Sequence, residues 1–216
     1  MANAHPANTQ PAHTQPLPDP GNPSTQIKLP SGRYATTEFE PALSLSVGKG
    51  WAISNPERED YFTIYNRDFA QSITEPGAVL SFVNVRSVFD PQKPVEGNAR
   101  SAPGDLVRWF EEHPGLDTSH PVRTTLGGMP AKRFDATVAS LPQERPHECP
   151  DCLPVFSLGE FGEPVSIVEG FKQRITIVED VDGQTVAIIL YAPLDQFDRY
   201  LPEAQGVLDS IEWKGA

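Results

Sequence analysis

Cationic charge is scarce in this chain of 216 residues. Seventeen Lys and Arg stand against 29 Asp and Glu, for a formal net charge of −12. Such a surface repels phosphate backbones and anionic lipid, so nucleic acid is excluded as a partner. No basic stripe runs against that trend. Long apolar runs are absent as well: none approaches the ~18 residues of a membrane span. The domain is therefore read as not membrane-spanning itself. The signatures GxSxG, HExxH, GxGxxG and the P-loop are all missing. Cysteine is limited to two residues, Cys149 and Cys152, both inside "RPHECPDCLP".

What the chain does have is proline, 23 residues of it, about twice the usual share of roughly 5%. Seven prolines fall within residues 1–31, and the first aromatic residue is Tyr34. Ahead of Tyr34 the only charges are Asp19, Lys28 and Arg33. Such a composition buries too little apolar surface to offset the entropy of ordering it. Residues 1–33 are accordingly expected to form a disordered, partly polyproline II tether. The opening "MANAHP" has neither the basic n-region nor the apolar h-region of a secretory leader. A Pro-rich stalk before a compact domain suits an anchored surface protein. Met1-Ala2 is read as standing where a leader or membrane anchor has been removed.

Residues 34–214 read as one folded domain. "YATTEFEPALSLSVGKGWAIS", "DYFTIYNRD" and "AVLSFVNVRSVFDP" show the period of two and the β-branched enrichment of strands. The period then changes. "SAPGDLVRWFEEHPG" places Leu106, Val107, Trp109 and Phe110 on one helical stripe, with Asp105 as N-cap and His113-Pro114-Gly115 as terminator. "PVRTTLGGMPAKRFDATVAS" is a hairpin turning at Gly127-Gly128. "FKQRITIVEDVDGQTVAIILYAP" is another, turning at Asp182-Gly183. Its second strand, Thr185 to Tyr191, is almost continuously apolar and is expected to be central and covered on both faces. "LDQFDRYLPEAQGVLDSIEW" reads as a closing helix, capped at Asp195 and interrupted or restarted at Pro202, followed by a short strand. No internal repeat is evident. The order predicts an α+β fold: an antiparallel β-sheet covered by helices.

These segments together resemble the Mog1/PsbP-like fold, an α/β/α sandwich. The residues that carry the resemblance are the Gly-Trp after the first strand, "VRWFEEHPGL", "TLGGMPAKRFD", the long hairpin and the closing "FDRYLPEAQGVLDSIEW". More narrowly the chain is similar to small secreted or lipid-anchored bacterial domains, including the proline-rich actinobacterial lipoproteins. The resemblance spans roughly residues 35–214 and its motifs are structural. It implies an extracytoplasmic domain that binds a protein partner or an apolar small molecule. It implies no enzyme chemistry, no cofactor and no metal, and it assigns no site residues. The Cys149–Cys152 insertion departs from it.

Three readings compete for the cysteines. A redox centre needs a stabilised thiolate, usually at a helix N-terminus. Here Pro154 follows closely and "LPVFSLG" reads as extended chain, while Glu148 and Asp151 raise a thiol pKa and Arg145 and His147 oppose them only in part. A zinc site needs about four ligands, and Cys149, Cys152 and His147 supply at most three. The reading that fits best is a short-range disulfide that shapes its loop and requires an oxidising compartment. Two acidic clusters each admit two readings. Glu111, Glu112 and His113 form either an acid/base group or a solvated helix end, and Glu179, Asp180 and Asp182 form either a weak calcium site or a charged hairpin tip. Trp51, Trp109 and Trp213 read as core anchors. The function expected is a non-catalytic, extracytoplasmic binding domain on a flexible stalk. The alternatives are an enzyme whose carboxylates and His113 assemble in the fold, or a thiol–disulfide protein using Cys149 and Cys152.

Overall fold

The computed structural model describes residues 13–21, 25–66, 77–95, 97–144, 149–159 and 162–215. Along the first half run β1 (Gln15–Pro16), β2 (Ile27–Lys28), β3 (Gly32–Ala35), β4 (Leu43–Val47), β5 (Trp51–Ile53), β6 (Tyr61–Asn66), β7 (Ala78–Asn84), β8 (Ser87–Phe89) and β9 (Ala99–Ser101). Helix α1 (Leu106–Glu111) comes next. It is followed by β10 (Leu116–Thr118), β11 (Val122–Leu126), β12 (Met129–Val138), β13 (Cys152–Leu158), β14 (Glu163–Val168), β15 (Phe171–Val181) and β16 (Gln184–Pro193). Helix α2 (Phe197–Leu208) and β17 (Glu212–Trp213) close the chain.

The long hairpin organises everything else. Asp182 and Gly183 both take positive φ, 51° and 76°, as a two-residue turn with the twist of its strands requires. That turn sets β15 against β16, and β16 in turn pairs with β7. The resulting antiparallel sheet runs β10-β12-β15-β16-β7-β6-β5-β2, with β11 also on β12. As its apolar run predicts, β16 is central. Alternation along it feeds two separate cores: Val186, Ile188, Leu190 and Ala192 join one, Ala187 and Ile189 the other. The first core is completed by β4, α2 and Trp213, the second by α1, β13 and β14.

The expectation of a sheet covered by helices needs correcting. Among the described residues there are two helices, of 6 and 12 residues. Most of the cover is instead strand. A four-stranded sheet, β1-β3-β4-β17, shares the first core with α2, and another, β14-β13-β8-β9, shares the second with α1. Two predicted strands went into these smaller sheets. "AVLSFVNVRSVFDP" breaks after Asn84 into β7 of the central sheet and β8, which pairs with β13. "SIEW" pairs with β4 rather than with the central sheet. A period of two reports that a segment is a strand. It does not report which sheet takes it.

Helix α2 buries the predicted side: Phe197, Tyr200, Ala204, Val207 and Leu208. Pro202 sits inside it. Its N-cap is Gln196, without a side-chain cap bond, and not Asp195.

The tether expected over residues 1–33 is also corrected where the structure describes it. Strand β1 pairs in parallel with β3, and β2 pairs with β5. Leu17 and Leu29 are buried in the first core, and their amides donate to Ala35 O and Trp51 O at 2.9 and 2.8 Å. Three apolar residues, Leu17, Ile27 and Leu29, dock this polar segment because each reaches a seat on a core already built by other strands. Segment-average hydrophobicity hides such isolated anchors. Residues 1–12 and 22–24 lie outside the described residues.

One further clamp was not anticipated. The buried Glu57 carboxylate accepts from the backbone amides of Thr37, Glu38 and Phe39 at 2.8–3.1 Å, and from Thr37 Oγ1 at 3.0 Å. It pins the chain between β3 and β4 to the segment before β6.

Candidate functional site

Helix α1 begins as predicted. Asp105 Oδ1 accepts from the Arg108 amide at 3.0 Å. Leu106, Val107 and Phe110 face the second core. The helix then delivers His113 to the interior, only 3% exposed. Its ring meets the Trp109 indole edge-on, centroids 5.0 Å apart at 75°.

His113 Nδ1 accepts from the Gly115 amide at 3.1 Å, so the neutral ring carries its proton on Nε2. Among the described residues neither that buried Nε2 nor Trp109 Nε1 has a hydrogen-bond partner. Burial pushes the His113 pKa down to about 4, with a backbone hydrogen bond at the same residue opposing weakly. Desolvation disfavours the imidazolium.

Gly115 is wedged. A Cβ there would meet Ser140 O at 2.9 Å, Leu153 Cδ2 at 3.0 Å and His113 Cε1 at 3.3 Å. Its carbonyl accepts from the amides of Ala139 at 2.9 Å and Ser140 at 3.3 Å. Ser140 Oγ donates to Pro114 O at 3.3 Å. These contacts form one wall of a cleft of about 400 Å³, lined by Pro91 and Gln92, by Pro114 and Gly115, and by residues 140–144. An exposed ion pair, Lys93 Nζ to Glu144 Oε2 at 2.6 Å, ties the segments bearing Gln92 and Glu144 together.

The cysteines belong to the same corner, since Leu153, which touches the Gly115 position, follows Cys152 directly. The two Sγ atoms stand at disulfide distance, with the Cα atoms 5.3 Å apart. The Cys152 amide donates to Cys149 O at 3.1 Å, a tight turn that leads into β13. The extended chain predicted after Cys152 is β13 itself. Arg145, His147 and Glu148, weighed as thiol neighbours and as a third zinc ligand, lie outside the described residues.

The other candidates stay apart. Glu111 and Glu112 are exposed while His113 is buried. Glu112 accepts from Arg108 Nε at 2.8 Å. Neither carboxylate hydrogen-bonds to the imidazole, so the helix end assembles no acid/base pair. At the hairpin tip, Glu179 lies 3.6 Å from Lys132 Nζ. Among the described residues no three His, Cys, Asp or Glu gather as a metal site. Trp51 and Trp213 are buried in the first core, and Trp213 Nε1 donates to Leu126 O at 3.0 Å. Trp109 packs half-buried against the second.

A second polar group was missed altogether. On the side of the central sheet that faces the second core, Thr63 Oγ1 donates to the Tyr61 hydroxyl at 2.6 Å and lies 3.3 Å from Ser81 Oγ. Tyr191 packs nearby, and burial, then Tyr61, pushes its hydroxyl pKa up. Gln173, paired with Tyr191 across the ladder, is fully buried. Its Nε2 donates to Ser166 O at 3.4 Å, while Oε1 has no partner among the described residues. Only the strand register, Thr63 opposite Ser81, brings these groups together. Alternation places Ser81 beside Val79 and Val83 but does not say which residues of other strands it meets.

No family model and no curated protein matches the chain. Among solved structures it is similar to the crystal structure of LpqN, involved in cell envelope biogenesis of Mycobacterium tuberculosis. The identity is 13%, with 87% of this chain and 90% of that one covered and a TM-score of 0.39. It is also similar to the solution structure of cyanobacterial PsbP (CyanoP) from Synechocystis sp. PCC 6803, at 9% identity, 80% and 92% coverage and a TM-score of 0.33. Neither likeness carries a fold, site, ligand or activity over to this chain.

Proposed function

We propose that this chain is a non-catalytic binding domain working outside the cytoplasm, and that the cleft beside His113 receives a segment of a protein partner. The observation that carries the reading is the Cys149–Cys152 pair at disulfide distance, set in the corner that also carries the cleft. A structural disulfide persists in oxidising compartments and is rare in the cytosol. Prolines 91, 114 and 142 together with Leu141 make the lining stiff and partly apolar, while Gln92 and Gln143 offer amides. Such a lining suits an extended peptide better than a compact apolar molecule. The acidic surface disfavours nucleic acid.

Two measurements test this. Protein isolated from its native compartment and alkylated without reduction should show no labelled cysteine by mass spectrometry. Two labelled thiols would remove the basis for the location. A photo-crosslinker at Gln143, applied in intact cells, should give a protein adduct that one at Lys214 does not. Equal adducts from both positions would show that the cleft is not the binding surface.

A further inference from the structure

The turn that carries His113 also holds the wall of the cleft through an unbroken series of contacts. His113 Nδ1 accepts from the Gly115 amide. Gly115 O accepts from the amides of Ala139 and Ser140. Ser140 begins the 140–144 wall. Gly115 has no slack, being closed in by Ser140 O, Leu153 and His113 itself.

We infer that this corner is an acid-sensitive latch: a proton on His113 frees Gly115 and with it the 139–144 wall of the cleft. A second ring proton turns Nδ1 from acceptor to donor. It then points an N–H at the Gly115 N–H, and a hydrogen bond becomes a repulsion. Among the described residues nothing would receive the cation, because Nε2 is buried there without a hydrogen-bond partner. Against the ring α1 sets Trp109 and the following turn sets Gly115, and the glycine in turn meets Leu153 of β13 and Ser140 of the cleft wall. None of these ionises. The acidic residues nearest in sequence are Glu111, Glu112 and Asp117, all exposed, with Glu112 engaged by Arg108. Among the described residues the imidazole's electrostatics are shaped by burial and, in the opposite sense, by a backbone hydrogen bond. Opening the turn lets the ring reach water and take its proton at the ordinary value. The latch stands whether or not the cleft is the partner's seat.

Amide hydrogen exchange on the intact protein, corrected for the intrinsic rate at each pH, tests this. Between a folded value of about 4 and a free value of 6.5, linkage raises the opening constant by roughly 75-fold from pH 8 to pH 4.5. The amides of Ala139 and Ser140 should lose protection by about that factor, and those of Ile188 and Ile189 in the central strand by much less. His113→Asn keeps an acceptor for the Gly115 amide and cannot titrate, so it should abolish the difference. Unchanged protection at 139 and 140, or the same loss in His113→Asn, overturns the latch. Should that variant not fold, the ring nitrogens of wild-type His113 and the Gly115 amide can be followed by NMR. A common midpoint supports the proposal, and separate midpoints overturn it.

Discussion

The two faces of the central sheet are built to different rules. The face shared with α2 and β4 is chiefly hydrocarbon, and its buried Asn66 and Asn84 donate to Glu203 and Gln184. Phe62 stacks on Phe82 at 4.3 Å, Phe39 meets Phe62 edge-on, and Trp51, Phe197 and Tyr200 fill the remainder. The face shared with α1 and β13 has its own apolar cluster, yet it admits His113, Gln173 and the hydroxyls of Tyr61, Thr63 and Ser81. Two of these polar residues hold buried atoms with no hydrogen-bond partner. A domain needs one such hydrocarbon face to be stable. The other face is free to carry groups that cost stability, and function is where such groups collect.

The comparison breaks most directly within one strand. Ser81 and Phe82 are neighbours in β7, are both buried, and face opposite sides. Phe82→Ala should cost about 3–5 kcal/mol, by lost transfer energy and the cavity it leaves. Ser81→Ala removes one 3.3 Å contact to Thr63 and should cost about 1 kcal/mol. Denaturant unfolding of both variants measures the gap. Equal costs would mean that the two faces do not differ as described.

This asymmetry was only half legible in the sequence. The almost continuous apolar run from Thr185 to Tyr191 announced a strand buried on both sides, and the Asp182-Gly183 and Gly127-Gly128 turns fixed two hairpins. Asp105 and the Leu106, Val107, Phe110 stripe placed α1 correctly. These signals are local, carried within about ten residues. Whatever depends on distant pairing was hidden. β8 left the sheet of β7, and β17 joined β4, through contacts across the fold. Leu17 and Leu29 are single apolar residues in polar surroundings, and only the finished core gives them seats. For the candidate site, both His113 and the cysteines were visible as residues. Their common corner was not, because Gly115 and Leu153 join them from segments far apart in the chain.

Acid should sharpen the contrast next. The folded pKa of His113, about 4, lies below its ordinary 6.5. Between those values the unfolded chain binds a proton that the folded chain does not. Stability therefore falls as pH drops from 6.5 towards 4, and this contribution is flat below 4. The loss should reach about 2–3 kcal/mol. Unfolding of wild type and His113→Asn between pH 7 and 4 isolates it from the carboxylates, which titrate in both. Parallel curves would show that the imidazole is not buried neutral.

On the hydrocarbon face, Leu17→Ala tests the docking of the Pro-rich segment. Leu17 is 5% exposed, but it lies at the margin of the core. Its truncation should cost about 2 kcal/mol, the low end for a buried leucine. A change under about 0.5 kcal/mol would restore the tether reading for residues 13–21.

The smallest effect expected belongs to the most conspicuous motif. Cys149 and Cys152 enclose only two residues, Pro150 and Asp151, so their bond removes little freedom from the unfolded chain. On the loop-length relation the stabilisation is no more than about 2 kcal/mol, and Pro150 has already taken part of that freedom away. Replacing both cysteines by serine should thus lower the unfolding free energy by less than Phe82→Ala does. Its consequences should stay near β13 and the 139–144 wall, on the face that carries polar groups. Hydrogen exchange in the double variant should quicken at Leu153 and Ser140 and stay unchanged at Leu80 and Leu190, on the other side of the sheet. A global loss above about 4 kcal/mol would mean that this short clip holds the whole second core together, and the division of labour between the two faces would have to be redrawn.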